Sequence, residues 1–429
     1  MSDHNGPTIS RRVVLAGLGA TGALAAGGSY VWARDNRSSA AGDEPDPTAT
    51  TRSTTTGPAV PVGARSLVVL EMLGGNDSMS MVVPHADGTY HDLRPNLAVR
   101  DPIDLDGEFG LAPQLTTLAA EYAAQRLAIV HGIGVAEPDL SHFASRQIWW
   151  TATRGDTADG AGWLGRYIDT LTSDDPLVAI SLGSTPAPAL TGHRSVTTSI
   201  ADQRGLVPAL DDPDALLARW VGFADAGAID DATAPVRAAI ARAVDAREQL
   251  ALALAPAGTP DTGRGGRRRS LGLEPALELA AWLVVAEPAP TVVHVSVAGD
   301  FDTHANQQPR HAALMEQLDA GIAAYLRILR EHDALDDVAL MTTSEFGRRP
   351  RENGSGTDHG TAAAHLVLGG AVRGGRHGDM PSLRRLDDDG NLAAGVDHRD
   401  YFASVLGTWL GADLEAVLPG AATPLSLFA

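Results

Sequence analysis

The chain has 429 residues, 44% of them hydrophobic, enough to bury one large core or two ordinary ones. Its 33 basic residues face 53 acidic ones, and the net charge of −20 disfavours sequence-independent binding to nucleic acid, which needs cations against phosphates. Every basic residue is arginine and cysteine is absent, so Walker-type phosphate loops, Schiff-base chemistry, disulfides, thiolate nucleophiles and zinc–thiolate centres are excluded.

At the N-terminus, SRRVVL places Arg11 and Arg12 before an apolar, glycine-rich stretch that ends at Ala33. Paired arginines before a mildly hydrophobic run resemble a twin-arginine export leader, the address read by machinery that moves folded proteins out of bacteria. Residues 1–33 are expected to be that leader, with a periplasmic, envelope or extracellular destination. Val31-Trp32-Ala33 is a poor small-x-small cleavage site, so the alternative is a segment that stays uncleaved as a membrane anchor. Residues 34–63, rich in Ser, Thr, Pro, Gly and Asp, read as a disordered tether.

From residue 64 to 429 the pattern is that of a single domain. Six apolar runs read as strands: 66–72, 127–133, 177–183, 291–297, 338–344 and 365–370. They are continuous rather than alternating, as buried parallel strands are. Helical patterns lie between them. The clearest covers 309–331, where Leu314, Leu318, Ile322, Tyr325 and Leu329 share one face. Residues 211–287 read as mainly helical, with a solvated arginine-rich loop at 263–270. This alternation predicts an α/β fold, a three-layer sandwich about a mostly parallel sheet, with ligands bound beyond the carboxyl ends of the strands.

Polar clusters follow the strands directly. LGGNDS carries Asn76 and Asp77, candidates for substrate contact. Gly-x-Asn-Asp also occurs in SGNH hydrolases, but no Gly-Asp-Ser nucleophile block precedes it here. In PDLSHF, Ser141 stands at the start of a helix beside His142, and both are candidate catalytic residues. Ser141 is either an N-cap or a nucleophilic hydroxyl in the positive field of the helix end. GDFDTH sets Asp302 and His304 two residues apart, so that in an extended segment both point the same way. That pair suits a divalent metal, or an Asp that fixes a His tautomer. SEFGRRP supplies Glu345 with Arg348 or Arg349, and GTDHG supplies Asp358 and His359 between glycines that permit close approach to a ligand.

Taken in order, LGGNDSMSMVVP, RLAIVHGIG, SHF, GWLGRYID, GDFDTHANQ, SEFGRRPRENGSGTDHG and GVDHRDYFASVLGTWLG resemble the bacterial "domain of unknown function 1501" proteins. Those are grouped with the alkaline phosphatase and sulfatase superfamily, and the resemblance spans about residues 65–411. It implies an alkaline-phosphatase-like α/β fold, a helix-start nucleophile, and Asp and His residues holding one or two divalent metals. Carried over residue by residue, Ser141 is the nucleophile, and Asp302, His304, Glu345 and His359 are ligands or proton carriers. Arg348 stabilises the anionic group. Phe346 stands where a ligand His is expected and cannot ligate, so Asp358 or Asp300 would have to substitute. Ala112 replaces a usual His, and the first strand ends near Glu71 rather than a metal-binding Asp. One metal, or none, is the resulting expectation. The leading reading is a metal-dependent hydrolase acting on a phosphate or sulfate ester of a small molecule or glycan. The alternatives are a non-catalytic envelope-associated binding protein with a degenerate metal site, and a metal-independent SGNH-like esterase.

Overall fold

All six apolar runs form strands. The computed structural model describes residues 64–429 apart from 154–159, 174, 184, 195–196, most of 201–271, 297–299 and 421; before residue 64 it describes only one strand, Tyr30–Trp32. The expected tether, the rest of the leader, the loop at 263–270 and most of the helical segment 211–287 lie outside the described residues. In chain order the strands are β1 (Tyr30–Trp32), β2 (Ser66–Glu71), β3 (Val82–Val83), β4 (Ile103–Asp104), β5 (Gly110–Leu111), β6 (Leu127–Gly134), β7 (Ala179–Gly183) and β8 (Thr197–Ile200). They continue as β9 (Val292–Ser296), β10 (Val338–Thr343), β11 (Gly347–Glu352), β12 (Thr357–Gly360), β13 (Ala363–Leu368), β14 (Gly375–His377) and β15 (Val396–Asp397).

Ten of them make one sheet in the order β1-β8-β7-β9-β2-β10-β13-β6-β14, with β15 also on β6. Pairing is parallel from β8 through β7, β9 and β2 to β10, and again between β6 and both β14 and β15. At the edge β1 pairs antiparallel with β8, and inside the sheet the exception is β13, read from its apolar run as one more parallel strand. It runs antiparallel to both β10 and β6. The reason lies in the connection: between β10 and β13 the chain forms the β11–β12 hairpin and no helix. A parallel return would need a crossover of a dozen or more residues, usually helical.

Helices cover both faces. Leu67 and Val69 of β2 join one buried cluster while Val68 and Leu70 join the other, the two-residue alternation of a strand buried on both sides. On the first face lie α1 (His142–Thr151), α2 (Trp163–Thr170) and, near the C-terminus, a helix at His398–Ala403, contributing Trp149, Trp163 and Phe402. On the second lie α3 (Leu273–Val284) and α4 (Gln307–Glu331). The stripe Leu314, Leu318, Ile322, Tyr325 and Leu329 is buried along α4, as its period requires. Each such side chain contributes about 1.5–3 kcal/mol of burial free energy. Among the described residues no helix is long and apolar enough to cross a membrane.

The layout gathers chemistry at one edge. Parallel strands β2, β6, β9 and β10 end together, and the segments bearing Gly74–Asp77, Ser141–His142, Asp302–His304 and Glu345 follow them. Because β13 runs the other way, its start lies at that same edge, and β12 delivers His359 there.

Candidate metal centre

Asp302 is the hub. Its Oδ1 lies 2.6 Å from Arg348 Nη2, 3.1 Å from His304 Nε2 and 3.3 Å from His359 Nε2. Its Oδ2 lies 3.5 Å from His142 Nε2. Burial alone would raise this carboxyl, but the hydrogen bond and charge of Arg348, with help from His359 and His304, bring it down to about 2. Asp302 is therefore a carboxylate at any ordinary pH.

Each imidazole is held from its far side. His359 Nδ1 donates to the Leu140 carbonyl at 2.8 Å, a bond that fixes the tautomer because a carbonyl only accepts. His142 Nδ1 donates to Glu345 Oε1 at 2.9 Å. His304 Nδ1 lies 3.4 Å from Asp358 Oδ1. In the neutral rings Nε2 then carries the lone pair, and all three Nε2 atoms face Asp302. Burial also lowers the basicity of His359 below the usual imidazole range, favouring the neutral ring.

Glu345 is held from within the fold. Buried in the turn after β10, it accepts from the backbone N–H of Gly74 at 2.9 Å and 3.0 Å and of Gly75 at 3.2 Å. Arg146 Nε donates to it at 3.0 Å. With His142 added, its two oxygens are satisfied. The turn that presents those N–H groups needs Gly75, whose φ is +78° and where a Cβ would stand 2.2 Å from Phe346 Cε2. Phe346, at the position of an expected ligand, is a buried wall: its ring lies 5.0 Å from that of His142 and 4.2 Å from that of His359.

Arg348 was expected to meet the anionic group of a substrate. Instead its side chain is fully buried. It donates to the carbonyls of Gly75 (2.7 Å), Thr357 (2.8 Å), Gly74 and Phe301, and to Asp302. A guanidinium has five N–H donors, and these bonds use its capacity to pin Asp302. The glycines of GTDHG also differ in use from the expectation. At Gly356 a Cβ would lie 2.2 Å from the His304 carbonyl carbon, so the glycine admits neighbouring backbone rather than ligand. That close approach sets His304 beside His359.

The remaining expected residues divide. Ser141 is the exposed N-cap of α1, and its hydroxyl makes no capping hydrogen bond. Asp358 bonds Asn353 at 2.8 Å and backs His304. Asn76 and Asp77 are buried, with exposures of 1% and 0%. Asp77 pairs with Arg94 at 2.6 Å, and Asn76 meets His311 at 3.0 Å. These are contacts inside the fold. Asp300 is exposed and pairs with Arg310 at 2.7 Å, and Ala112 sits in the apolar core. Glu71 accepts from Trp150 Nε1 at 2.5 Å, and burial pushes its carboxyl up to about 7. Arg146 was missed. The signal for it was its place four residues after His142, on the same helical face.

The donor set fits a single divalent cation. Among the described residues, one ligand atom each from His142, Asp302 and His359 falls within 4.8 Å of the others. His304 Nε2 is 2.9 Å from His359 Nε2. Two or three neutral imidazoles with one carboxylate suit zinc or a similar borderline ion, and the groups behind each ligand are those that metal-binding histidines use.

The model of the family described as protein of unknown function (DUF1501) matches residues 128–418. No curated protein matches the chain. Among solved structures, a protein in the alkaline phosphatase superfamily from Vibrio parahaemolyticus is similar at 9% identity and a TM-score of 0.41, over 86% of this chain and 72% of that one. The lipoteichoic acid synthase LtaP from Listeria monocytogenes is similar at 9% identity and 0.33, over 82% and 73%. The PsFucS1 sulfatase from Pseudoalteromonas sp. is similar at 12% identity and 0.36, over 84% and 73%.

Proposed function

The chain belongs to the DUF1501 family of proteins of unknown function, and from that premise and the geometry of the site we propose that it is a single-metal hydrolase of phosphate or sulfate esters, exported by the twin-arginine route. One observation supports the metal above all others: three imidazole Nε2 atoms, two with Nδ1 bonded to an acceptor and the third with Nδ1 near a carboxylate, face one carboxylate. Lone pairs so arranged repel unless a cation joins them. The ester class rests on the motif set from LGGNDS to GTDHG and its resemblance to the phosphatase and sulfatase superfamily.

His142, Asp302 and His359 would hold the ion, with His304 as a fourth donor. A divalent ion there supplies Lewis acidity toward an ester oxygen and a lowered pKa for a nearby hydroxyl. Ser141 offers the nucleophilic hydroxyl, exposed at the head of α1 and adjacent in chain to His142. Glu345 keeps His142 in the ligating tautomer, the Leu140 carbonyl does so for His359, and Arg348 holds Asp302 ionised. Phe346, packed on Gly75, backs the rings of His142 and His359.

The test is metal analysis of full chain purified without chelator, followed by a panel of aryl phosphates, phosphodiesters, sulfates and acyl esters. One equivalent of metal and chelator-sensitive turnover of an anionic ester are expected. Acyl-ester turnover that survives chelator would favour the SGNH-like reading. Bound metal with no turnover would favour the binding-protein reading. For export, Arg11→Ala with Arg12→Ala should retain the protein in the cytoplasm, and unchanged export would overturn the leader.

A further inference from the structure

We propose that Arg146 is the residue that grips the anionic group of the substrate, through the two terminal nitrogens of its guanidinium. This rests on the site reading above and names a part of it that the motifs do not contain.

An ester anion approaching this edge meets the partly exposed Asp302 carboxylate, with the buried acids Glu345 and Glu71 close by. Asp302 and Glu345 lie in the site, and Glu71 stands beside them at the end of β2. A compensating cation with open donors is required. Arg348 is fully buried and committed to four carbonyls and Asp302. Arg310 faces Asp300 and the Asp302 carbonyl on the outside.

Arg146 differs from both. Its side chain is 29% exposed, and only Nε makes a hydrogen bond, to Glu345 Oε1 at 3.0 Å, while its charge also acts on Glu71. Among the described residues Nη1 and Nη2 donate to nothing. The same Glu345 oxygen accepts a hydrogen bond from His142 Nδ1. One carboxylate therefore aims a metal-ligating ring and a guanidinium from the same face of α1, four residues apart. Nε is the inner nitrogen, so anchoring it fixes the plane of the fork and leaves the paired outer donors for a tetrahedral oxyanion. Two parallel N–H bonds to adjacent oxygens are the arrangement in which arginine surpasses lysine. Substrates are then esters with at least two unesterified, charged-face oxygens, and neutral acyl esters gain nothing from the residue.

The experiment titrates inorganic phosphate and sulfate into full chain, with and without added zinc, for wild type, Arg146→Gln, Arg146→Lys and Arg327→Gln. Arg327 pairs with Glu331 on the outside of α4 and controls for loss of one positive charge. Arg146→Gln should weaken oxyanion binding about tenfold or more, with zinc stoichiometry and melting temperature kept. Arg146→Lys should recover part of it, and Arg327→Gln should bind as wild type. Equal oxyanion affinity in wild type and Arg146→Gln would overturn the assignment while leaving the metal centre standing. So would a wild type that binds neither anion at millimolar concentration. Arg146-dependent anion binding in a protein that takes no zinc would uphold the assignment and remove the metal reading.

Discussion

The Nε2 atoms of His304 and His359 lie 2.9 Å apart, and both also approach Asp302 Oδ1, at 3.1 Å and 3.3 Å. The Nδ1 of His359 is spent on the Leu140 carbonyl, and that of His304 faces Asp358. Two ring nitrogens presenting lone pairs at that separation repel, and a positive centre between them reverses the sign. The contact is the feature on which the proposed metal site chiefly rests.

The first prediction concerns Glu345, which holds His142 without reaching the ligand atoms itself. Glu345→Gln keeps one acceptor and loses the charge that steadies the imidazole. Metal affinity should fall about 10–100-fold, the usual cost of removing a partner behind a metal-binding His. Titration of metal-free variant and wild type checks this. Equal affinities would mean that His142 is not a ligand.

The second separates fold from site. Arg94 and Asp77 form a fully buried pair, and the arginine together with neighbouring hydrogen bonds overcomes burial to hold Asp77 at about 2. Arg94→Met leaves a buried charge without its partner and should cost about 3–5 kcal/mol of stability. Metal bound per folded molecule should be unchanged. Loss of metal in the folded fraction would show that Asn76 and Asp77 serve the site after all.

Much of this architecture was legible in the sequence. The apolar runs were long and continuous enough to mark six strands, and polar residues directly after them indicated one shared edge. The direction of β13 was not legible, because an apolar run looks alike in both directions and only the helix-free β11–β12 connection decides it. Among site residues, types and neighbourhoods could be read but not burial. Arg348 and Glu345 look like reaction-centre groups in SEFGRRP, yet backbone groups from Gly74 and Gly75 occupy both. Those glycines lie in a distant segment, and no local pattern announces the contact. Arg146 lay hidden in FASRQIWW for the opposite reason, since a helical arginine is ordinarily a solvated one.

The third prediction is acid lability. Burial holds His131, His294 and His311 at about 4 and His365 at about 3, all below the usual 6.5. The unfolded chain takes up four protons below about 6.5 that the folded chain refuses, so stability is full above that pH and falls as pH drops. Glu71 acts in the other direction: folded, it keeps a proton up to about 7, and its contribution is lost as pH rises from about 4.5. Four protons against one leaves a net loss on the order of 4 kcal/mol per pH unit once well below 6.5. Urea unfolding of metal-free protein at several pH values between 7 and 5 measures the slope. Stability that rises over that interval would contradict the neutral burial of these histidines.

The most direct measurement is a paired melt and divalent-ion titration of metal-free wild type and His359→Gln. Gln can keep a hydrogen bond to Leu140, so the apo proteins should melt within about 1–2 kcal/mol of each other. Added zinc should raise the wild-type melting temperature, because an ion bound only by the folded state stabilises it by mass action. That rise should shrink or vanish in the variant. Superimposable curves for the two proteins, with and without the ion, would mean that His359 binds no metal and that the histidines around Asp302 do not form a metal centre.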